Sequence, residues 1–258
     1  MKISVLGATG AMGGRVIKSA LQSGHYVENK VASSDDISCL FSNTDVVIDF
    51  SSSIATERML LYVKKHMPNI PIVIGTTGLS KIHIDLMENC SYFTPIFHAP
   101  NMSFVVSLIN TLLALVAKIL PSQEFDTEIS EVHHKLKKDA PSGTALMFGK
   151  TIAEVRGDNF LDVANFIRYG IIDQRKTGEI GFSVQRCGRV IGKHKVSFVG
   201  NHENISIIHE AHSKEIYAVG AIHAAEWTYK QKPGLYDMRD LTKDAVLPII
   251  KEMCEDLE

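Results

Sequence analysis

Val5-Leu6-Gly7-Ala8-Thr9-Gly10-Ala11-Met12-Gly13-Gly14 runs a short apolar strand into glycines spaced by three and then into a helical pattern. Each glycine has its own physical reason. Gly7 permits a tight turn, Gly10 lets backbone approach a pyrophosphate, and Gly13 lets helix and strand pack closely. A helix start of this kind attracts anions, because its first backbone N–H groups have no partner inside the helix. The spacing differs from the commoner G-x-G-x-x-G, and the rival reading is a turn of structural use alone. Its place between a strand and a helix favours a nucleotide site.

Working outward, short apolar runs alternate with helical patterns as far as about residue 98: 3–6 then 13–23, 45–50 then 54–66, 71–74 then 80–89, and finally 92–98. Such alternation predicts parallel strands joined by helices, an α/β domain with a Rossmann-like parallel sheet. In an open parallel sheet, ligands sit beyond the carboxyl ends of the strands. Gly7, Ala8, Thr9, Gly10, Ala11 and Met12 are therefore candidate cofactor contacts. They are joined by Ser34 after the second strand, Gly75, Thr76 and Thr77 after the fourth, and Ala99, Pro100, Asn101 and Met102 after the fifth. An acidic residue at the second strand end suits NADH, whereas a basic one accepts a 2'-phosphate. Ser34 followed by Asp35 leaves both NADPH and NADH open.

Beyond residue 104 the style changes. The longest apolar stretch, 104–120, is interrupted by Asn110 and Lys118 and is short for a bilayer span of about 20 residues. It reads as a largely buried helix. Longer strand-like segments follow at 125–133, 180–186, 194–199 and 205–210, which predict a second, α+β domain built on a mixed open sheet. The tail from 240 to 257 has apolar residues at helical spacing, Val246, Leu247, Ile250, Met253 and Leu257, with Pro248 expected to bend it. The expected division is 1–103 with 219–258 as a dinucleotide-binding domain, and 104–218 as a second domain.

Composition narrows the partners. With 258 residues, 45% of them hydrophobic, the chain can bury a sizeable core, and a net charge of -2 gives no reason to expect nucleic acid or an anionic membrane. Cys39, Cys90, Cys187 and Cys254 lack C-x-x-C spacing, so neither a disulfide framework nor a thiolate zinc site is indicated. Reduced thiols and the lack of a secretory h-region suit a cytoplasmic protein.

His133-His134-Lys135-Leu136-Lys137-Lys138-Asp139-Ala140-Pro141-Ser142-Gly143-Thr144 crowds imidazoles and ammonium groups against a glycine turn. Ser142 can cap a helix running through Arg156, with apolar residues at Leu146, Phe148, Ile152 and Val155. That leaves backbone N–H groups at Gly143 and Thr144 for a carboxylate or phosphate. The rival reading is a solvated basic turn beside an N-cap. Consecutive strand residues face opposite ways, so His133 and His134 can meet one substrate only where the strand has ended. Irregular backbone is expected from near His133. His209-Glu210-Ala211-His212 is one residue short of H-E-x-x-H and lies in a strand-like segment, so no metal is expected. Arg186 and His194 flank a turn at 188–192 and read most simply as exposed hairpin residues. Glu124, Asp126 and Glu128 read as one solvated strand face.

Residues 131–146, Glu131-Val132-His133-His134-Lys135-Leu136-Lys137-Lys138-Asp139-Ala140-Pro141-Ser142-Gly143-Thr144-Ala145-Leu146, resemble the signature of the dihydrodipicolinate reductase (4-hydroxy-tetrahydrodipicolinate reductase) family. Residues 7–13, Asp49-Phe50-Ser51, 75–78 and 99–103 follow in the family's pattern, so the resemblance covers essentially the whole chain. It implies a Rossmann-like domain completed by the C-terminal helix and makes 104–218 a substrate-binding and oligomerisation domain whose open sheet builds a homotetramer. It also implies a cytoplasmic oxidoreductase of lysine and diaminopimelate biosynthesis that uses NADPH or NADH on a small dicarboxylate. Hydride would reach C4 of the substrate, and the adjacent carbon must then be protonated. By the same resemblance His133 and Lys137 take the acid/base positions, with Lys137 the proton donor, while His134, Gly143 and Thr144 hold carboxylate. An ordinary imidazole titrates near ~6.5 and an ammonium near ~10.4, so His133 would exchange protons at neutral pH and Lys137 would arrive protonated, its release eased by neighbouring cations. Ala11 departs from the family, which usually carries Arg or Lys there, and Lys214 stands where an Arg is common.

Two other classes compete. A non-catalytic NADPH-binding regulatory protein has no use for the 133–144 cluster. Another two-domain nicotinamide dehydrogenase needs its own catalytic Cys or Lys motif in the second domain, and none is found.

Overall fold

The strand–glycine–helix stretch forms β1 (Lys2–Leu6) and α1 (Ala11–Gln22) in the computed structural model, which describes residues 1–255. There follow β2 (Tyr26–Val31), β3 (Val46–Asp49), α2 (Ser53–His66), β4 (Ile72–Ile74), α3 (Lys81–Ser91) and β5 (Pro95–His98). Every residue of β3 and β4 is buried. Parallel strands covered on both faces need such unbroken apolar runs. The two-residue period still sorts the side chains. Ile3 and Val5 of β1 face a core shared with Val16 and Ala20 of α1, whereas Leu6 faces Met59, Leu60 and Val63 of α2. Edge strand β2 alternates exposed and half-buried residues, as a strand with one open side should.

At Val105 the chain enters a second unit, which continues to Lys214. It contains nearly all of α4 (Phe104–Ile119), then β6 (Asp126–His133), α5 (Gly143–Arg156), α6 (Phe160–Val163), β7 (Ala164–Asn165), β8 (Ile180–Arg186), β9 (Gly192–Val199) and β10 (Asn204–Ala211). The sheet runs β10-β9-β6-β8-β7, with β6 parallel to β8 and antiparallel to β9, so it is mixed. Helix α4 buries Val106, Ile109, Leu113 and Ala117 against Ile129, Phe148 and Phe198. Its opposite face corrects the expectation of a largely buried helix. Val105, Leu112, Leu115 and Ile119 are 39–65% exposed, because sheet and helix cover only one side. The 188–192 turn is not a hairpin either, since β6 lies between β8 and β9.

The chain returns to the first unit at Glu215, where α7 (Glu215–Thr228) begins, rather than at 219. Ala218, Ala221, Ile222, Ala224 and Ala225 join the core on the α1 side of the parallel sheet. Then β11 (Gly234–Tyr236) pairs in parallel with β5 and completes the order β11-β5-β4-β3-β1-β2. The C-terminal helix α8 (Met238–Glu255) packs on this unit through Met238, Leu241 and Thr242, and Trp227 Nε1 donates to Asp244 at 3.1 Å. The apolar face expected further along is exposed at Leu247, Ile250 and Met253 and half-buried at Val246, and Leu257 lies outside the described residues. Pro248 sits inside the helix. Among the described residues no helix is long and apolar enough to cross a membrane.

Candidate functional site

In the parallel unit, the candidate cofactor residues lie at the carboxyl ends of β1, β2, β4 and β5. The glycine turn falls between β3 and β2, where the strand order reverses. Gly7 adopts φ +82, and a Cβ on it would lie 2.5 Å from the Phe50 carbonyl oxygen. A Cβ on Gly13 would lie 2.1 Å from the Gly7 carbonyl oxygen, so only glycine lets α1 start this close to β1. Gly10 is the N-cap of α1, Ala11 and Met12 form its first turn, and Ala8 and Thr9 lead into it, Thr9 exposed. The result is a cradle that side chains would fill, which fits a pyrophosphate. Arg15 reaches back from the next turn to the Ala11 carbonyl at 3.3 Å.

The neighbouring strand ends interlock. Ser51 N–H donates to Thr76 Oγ1 and to Asp49 Oδ1, each at 3.0 Å, and a Cβ on Gly75 would strike the Phe50 ring. Burial pushes the Asp49 carboxyl up from its ordinary value, against hydrogen bonds from Ser51, Thr56 and Thr76. Thr76 is buried and Thr77 exposed. Ala99 N–H donates to the Ile74 carbonyl, Pro100 is exposed, Asn101 Oδ1 accepts from Ser103 N–H, and Met102 is buried in the core. Ser34 is exposed after β2. Asp35 turns its carboxylate back to Ala32 N–H at 2.8 Å, and Asp36 caps Ser38. Arg58 of α2 donates to the carbonyls of Ser33 at 2.7 Å and Asp35 at 3.0 Å. Both carboxylates of this loop thus serve its own backbone, and a guanidinium stands against it.

In the second unit, β6 ends at His133 and the backbone turns irregular at His134, as expected. His133 is buried, His134 half-buried, and Lys137 N–H closes a turn onto the His134 carbonyl. Ser142 caps α5 by accepting from Ala145 N–H, with Gly143 exposed and Thr144 half-buried in the first turn. Thr144 is not without a partner. Lys137 Nζ meets the Asp139 carboxylate at 2.9 Å, so an anion faces it beside the neighbouring cations expected to ease its proton release.

One buried carboxylate holds these parts together. Glu131 Oε1 accepts from Arg186 at 2.8 Å and from Ser142 N–H at 3.0 Å, while its Oε2 lies 3.5 Å from His133 Nδ1 and from His194 Nε2. Arg186 also donates to the Asp139 carbonyl at 2.6 Å, and Ser142 Oγ pairs with His194 Nε2 at 3.1 Å. Arg186 and His194 are therefore not exposed hairpin residues. His194 is buried at 5% exposure, and Arg186 is tied to the network because β8 flanks β6 directly. Glu131 had no signal of its own, since Arg186 lies 55 positions away, His194 is brought to it by strand pairing, and its Ser142 contact is to backbone. Glu124 and Asp126 are exposed and Glu128 half-buried on one face, as read, but that face also carries ion pairs: Arg175 pairs with Asp126 and Glu128, and Arg168 with Glu128.

The electrostatics follow from this burial. Burial alone would push the Glu131 carboxyl up, but the donor groups of His194, Ser142 and Arg186 around it outweigh it and hold the group well below the usual carboxylate range. Burial pushes the His133 imidazole down to about 4; the charges of His194, Lys137 and Arg186 act the same way, and Glu131 opposes them. His133 is therefore neutral at pH 7, an acceptor rather than a ready donor, and this revises the sequence-based expectation of free exchange. Glu131, His133 and His194 place possible ligand atoms within 4.8 Å of one another. Arg186 already supplies the positive charge at Glu131, which argues against a resident cation there. His209 and His212 lie at the end of β10 and just beyond it, and Glu210 between them pairs with Lys193 at 3.0 Å.

Comparison with known proteins gives a consistent match over both units. The pattern "Dihydrodipicolinate reductase, N-terminus" matches residues 1–102, and "Dihydrodipicolinate reductase, C-terminus" matches residues 105–242. The chain is 38% identical to the 4-hydroxy-tetrahydrodipicolinate reductase of Geotalea uraniireducens (strain Rf4), covering 93% of this chain and 98% of that one. It is also 38% identical to the enzyme of that name from Rickettsia africae (strain ESF-5), covering 94% and 99%. Among solved structures, the dipicolinate-bound dihydrodipicolinate reductase from Paenisporosarcina sp. TG-14 shares the fold, with a TM-score of 0.70, 20% identity and coverage of 93% and 98%.

Proposed function

This chain belongs to the dihydrodipicolinate reductase family, and on that premise we propose that it reduces 4-hydroxy-tetrahydrodipicolinate to tetrahydrodipicolinate with NADPH or NADH, a step of lysine and diaminopimelate biosynthesis. The observation that carries the proposal is the folded form of residues 133–144: a strand end, a turn and a capped helix start held around one buried carboxylate. The first unit takes the dinucleotide and the second the dicarboxylate. Gly7, Ala8, Thr9, Gly10, Ala11 and Met12 cradle the pyrophosphate. Ser34 faces the adenosine ribose, and Gly75, Thr76, Thr77, Ala99, Pro100, Asn101 and Met102 form the rest of the lip. The bound cofactor supplies hydride.

The chain's own residues supply orientation and a proton. His134 and the α5 start at Gly143 and Thr144 hold carboxylate, where helix N–H groups favour negative charge. Lys137, a cation in the turn, donates the proton to the carbon next to C4, and neutral His133 accepts or directs protons beside it. Atoms balance when hydride and one proton are taken up and the 4-hydroxyl departs as water. The Arg58 guanidinium against the Ser33–Asp35 backbone supports acceptance of a 2'-phosphate, hence NADPH.

The mixed sheet leaves Val184, Val199, Ile205 and Ile208 exposed, and the segment after β7 exposes Ile167, Tyr169 and Ile171. These apolar surfaces support a homotetramer, and four unpaired cysteines suit the cytoplasm. Sedimentation at the mass of four chains checks the first of these. The enzymatic reading is tested by supplying the condensation product of pyruvate and aspartate semialdehyde and following NADPH and NADH oxidation separately. Oxidation with at least one is expected, and Lys137→Ala should abolish it while keeping cofactor affinity. No oxidation with either cofactor would overturn the assignment.

A further inference from the structure

Two buried polar atoms in the second unit face each other without closing a hydrogen bond. Glu131 Oε2 lies 3.5 Å from His133 Nδ1 and from His194 Nε2, and neither Oε2 nor His133 Nδ1 has a hydrogen-bond partner among the described residues. Buried polar atoms are rarely left so, because each costs the free energy of a lost water contact. Here a small rotation of the imidazole satisfies both. The other carboxylate oxygen is fixed already by Arg186 and Ser142 N–H, so the carboxylate cannot turn away.

We propose that Glu131 is a positioning residue of the reductase site: it fixes the ring and tautomer of His133 and anchors both ends of the loop that carries Lys137. Through Ser142 N–H it holds the helix start, and through Arg186, which also binds the Asp139 carbonyl, it holds the loop beside the Lys137–Asp139 pair. A proton on Nδ1 faces the carboxylate and leaves the Nε2 lone pair on the other side of the ring. Gly192 lies on that side, where a Cβ would stand 3.0 Å from Nε2, so its absence keeps the nitrogen uncovered. Four charged or titratable groups face His133: Glu131 from β6, Arg186 from β8, His194 from β9 and Lys137 from the loop. Only Glu131 is an anion. It alone among these four groups favours a proton at Nδ1.

The inference rests on His133 serving the proposed reaction, and the test separates the two. Glu131→Gln, His133→Ala and the double variant are assayed with substrate and NADPH beside the unaltered enzyme. Glu131→Gln should lower kcat on the order of ten- to a hundredfold with NADPH affinity unchanged. In the His133→Ala background the same change should cost clearly less, because the part of its role that acts through His133 is gone and only the loop anchoring remains. Equal losses in both backgrounds would make Glu131 a structural residue and overturn the proposal. Nitrogen-15 spectra of the unaltered enzyme, with His133 assigned by comparison with His133→Ala, should place its proton on Nδ1. A proton on Nε2 would also overturn it, even if Glu131→Gln failed to fold. Lack of turnover by the unaltered enzyme would instead count against the family reaction.

Discussion

Gly13 and Gly14 are neighbours in one helix, yet alanine should act on them in opposite directions. At Gly13 the new methyl would lie 2.1 Å from the Gly7 carbonyl oxygen, 2.8 Å from its carbon and 2.9 Å from Ala8 Cα, all of them backbone. That backbone cannot yield easily, because Gly7 and Ala8 N–H both donate to the Val31 carbonyl and Gly10 N–H donates to Gly7. Relief requires α1 to retreat by roughly 1 Å, an overpacking cost of about 1–3 kcal/mol. Alanine's better helix propensity returns about 0.5–1 kcal/mol of it. At Gly14 nothing lies within 4 Å of the new methyl, so only the gain remains. Trp227, the sole tryptophan, packs against Phe97 and Tyr236 at 6.0 and 5.1 Å between centroids and reports on this unit. Urea denaturation followed by its fluorescence should shift down for Gly13→Ala and up for Gly14→Ala, and only the former should weaken NADPH binding. A Gly13→Ala midpoint at or above that of the unaltered protein would refute the steric account.

Acid should loosen the second unit before its carboxylates titrate. The His133 value of about 4 lies below the ordinary 6.5, so the unfolded chain takes up the proton first; stability is full above 6.5, declines as pH falls from 6.5 to 4 and levels below that. At full strength the shift is worth roughly 3 kcal/mol, or about 2 kcal/mol with solvent screening. Hydrogen exchange of α5 amides should show this decline, and His133→Gln should flatten it. Arg58→Ala should lower kcat/KM for NADPH about tenfold more than for NADH; equal losses would mean that Arg58 serves only the loop. Ser142→Ala removes the α5 cap and should cost about 1 kcal/mol, measurable by thermal unfolding with Glu131 left in place.

The parallel sheet was legible because β1, β3 and β4 are covered on both faces and are therefore predominantly apolar. Helix α7 was not, since a helix buried on most sides carries no polar face and so no period to read. Strand β11 is three residues long and exists only because β5 offers it an edge. The same divide separates the site residues. His133, Lys137 and Ser142 stand in one contiguous run whose chemistry is local. Arg186 lies 55 positions from Glu131, and His194 lies 52 from Ser142. Strand pairing brings them together, and no spacing in the sequence announces it.

The split of the first unit also sets an order of assembly. Its sheet receives five strands from residues 2–98, but the sixth strand and the α7 layer of its core arrive only after residues 105–214 have been made. On the ribosome, β5 therefore waits as a raw edge, and Val16, Ala20 and Phe97 wait without their alanine-rich cover. The inserted unit is continuous in sequence and has no such dependence. It is free to fold while the earlier unit is still unfinished. A nascent chain stalled before Glu215 would present an open strand and a bare apolar face together, the surface that chaperones capture and that aggregation exploits.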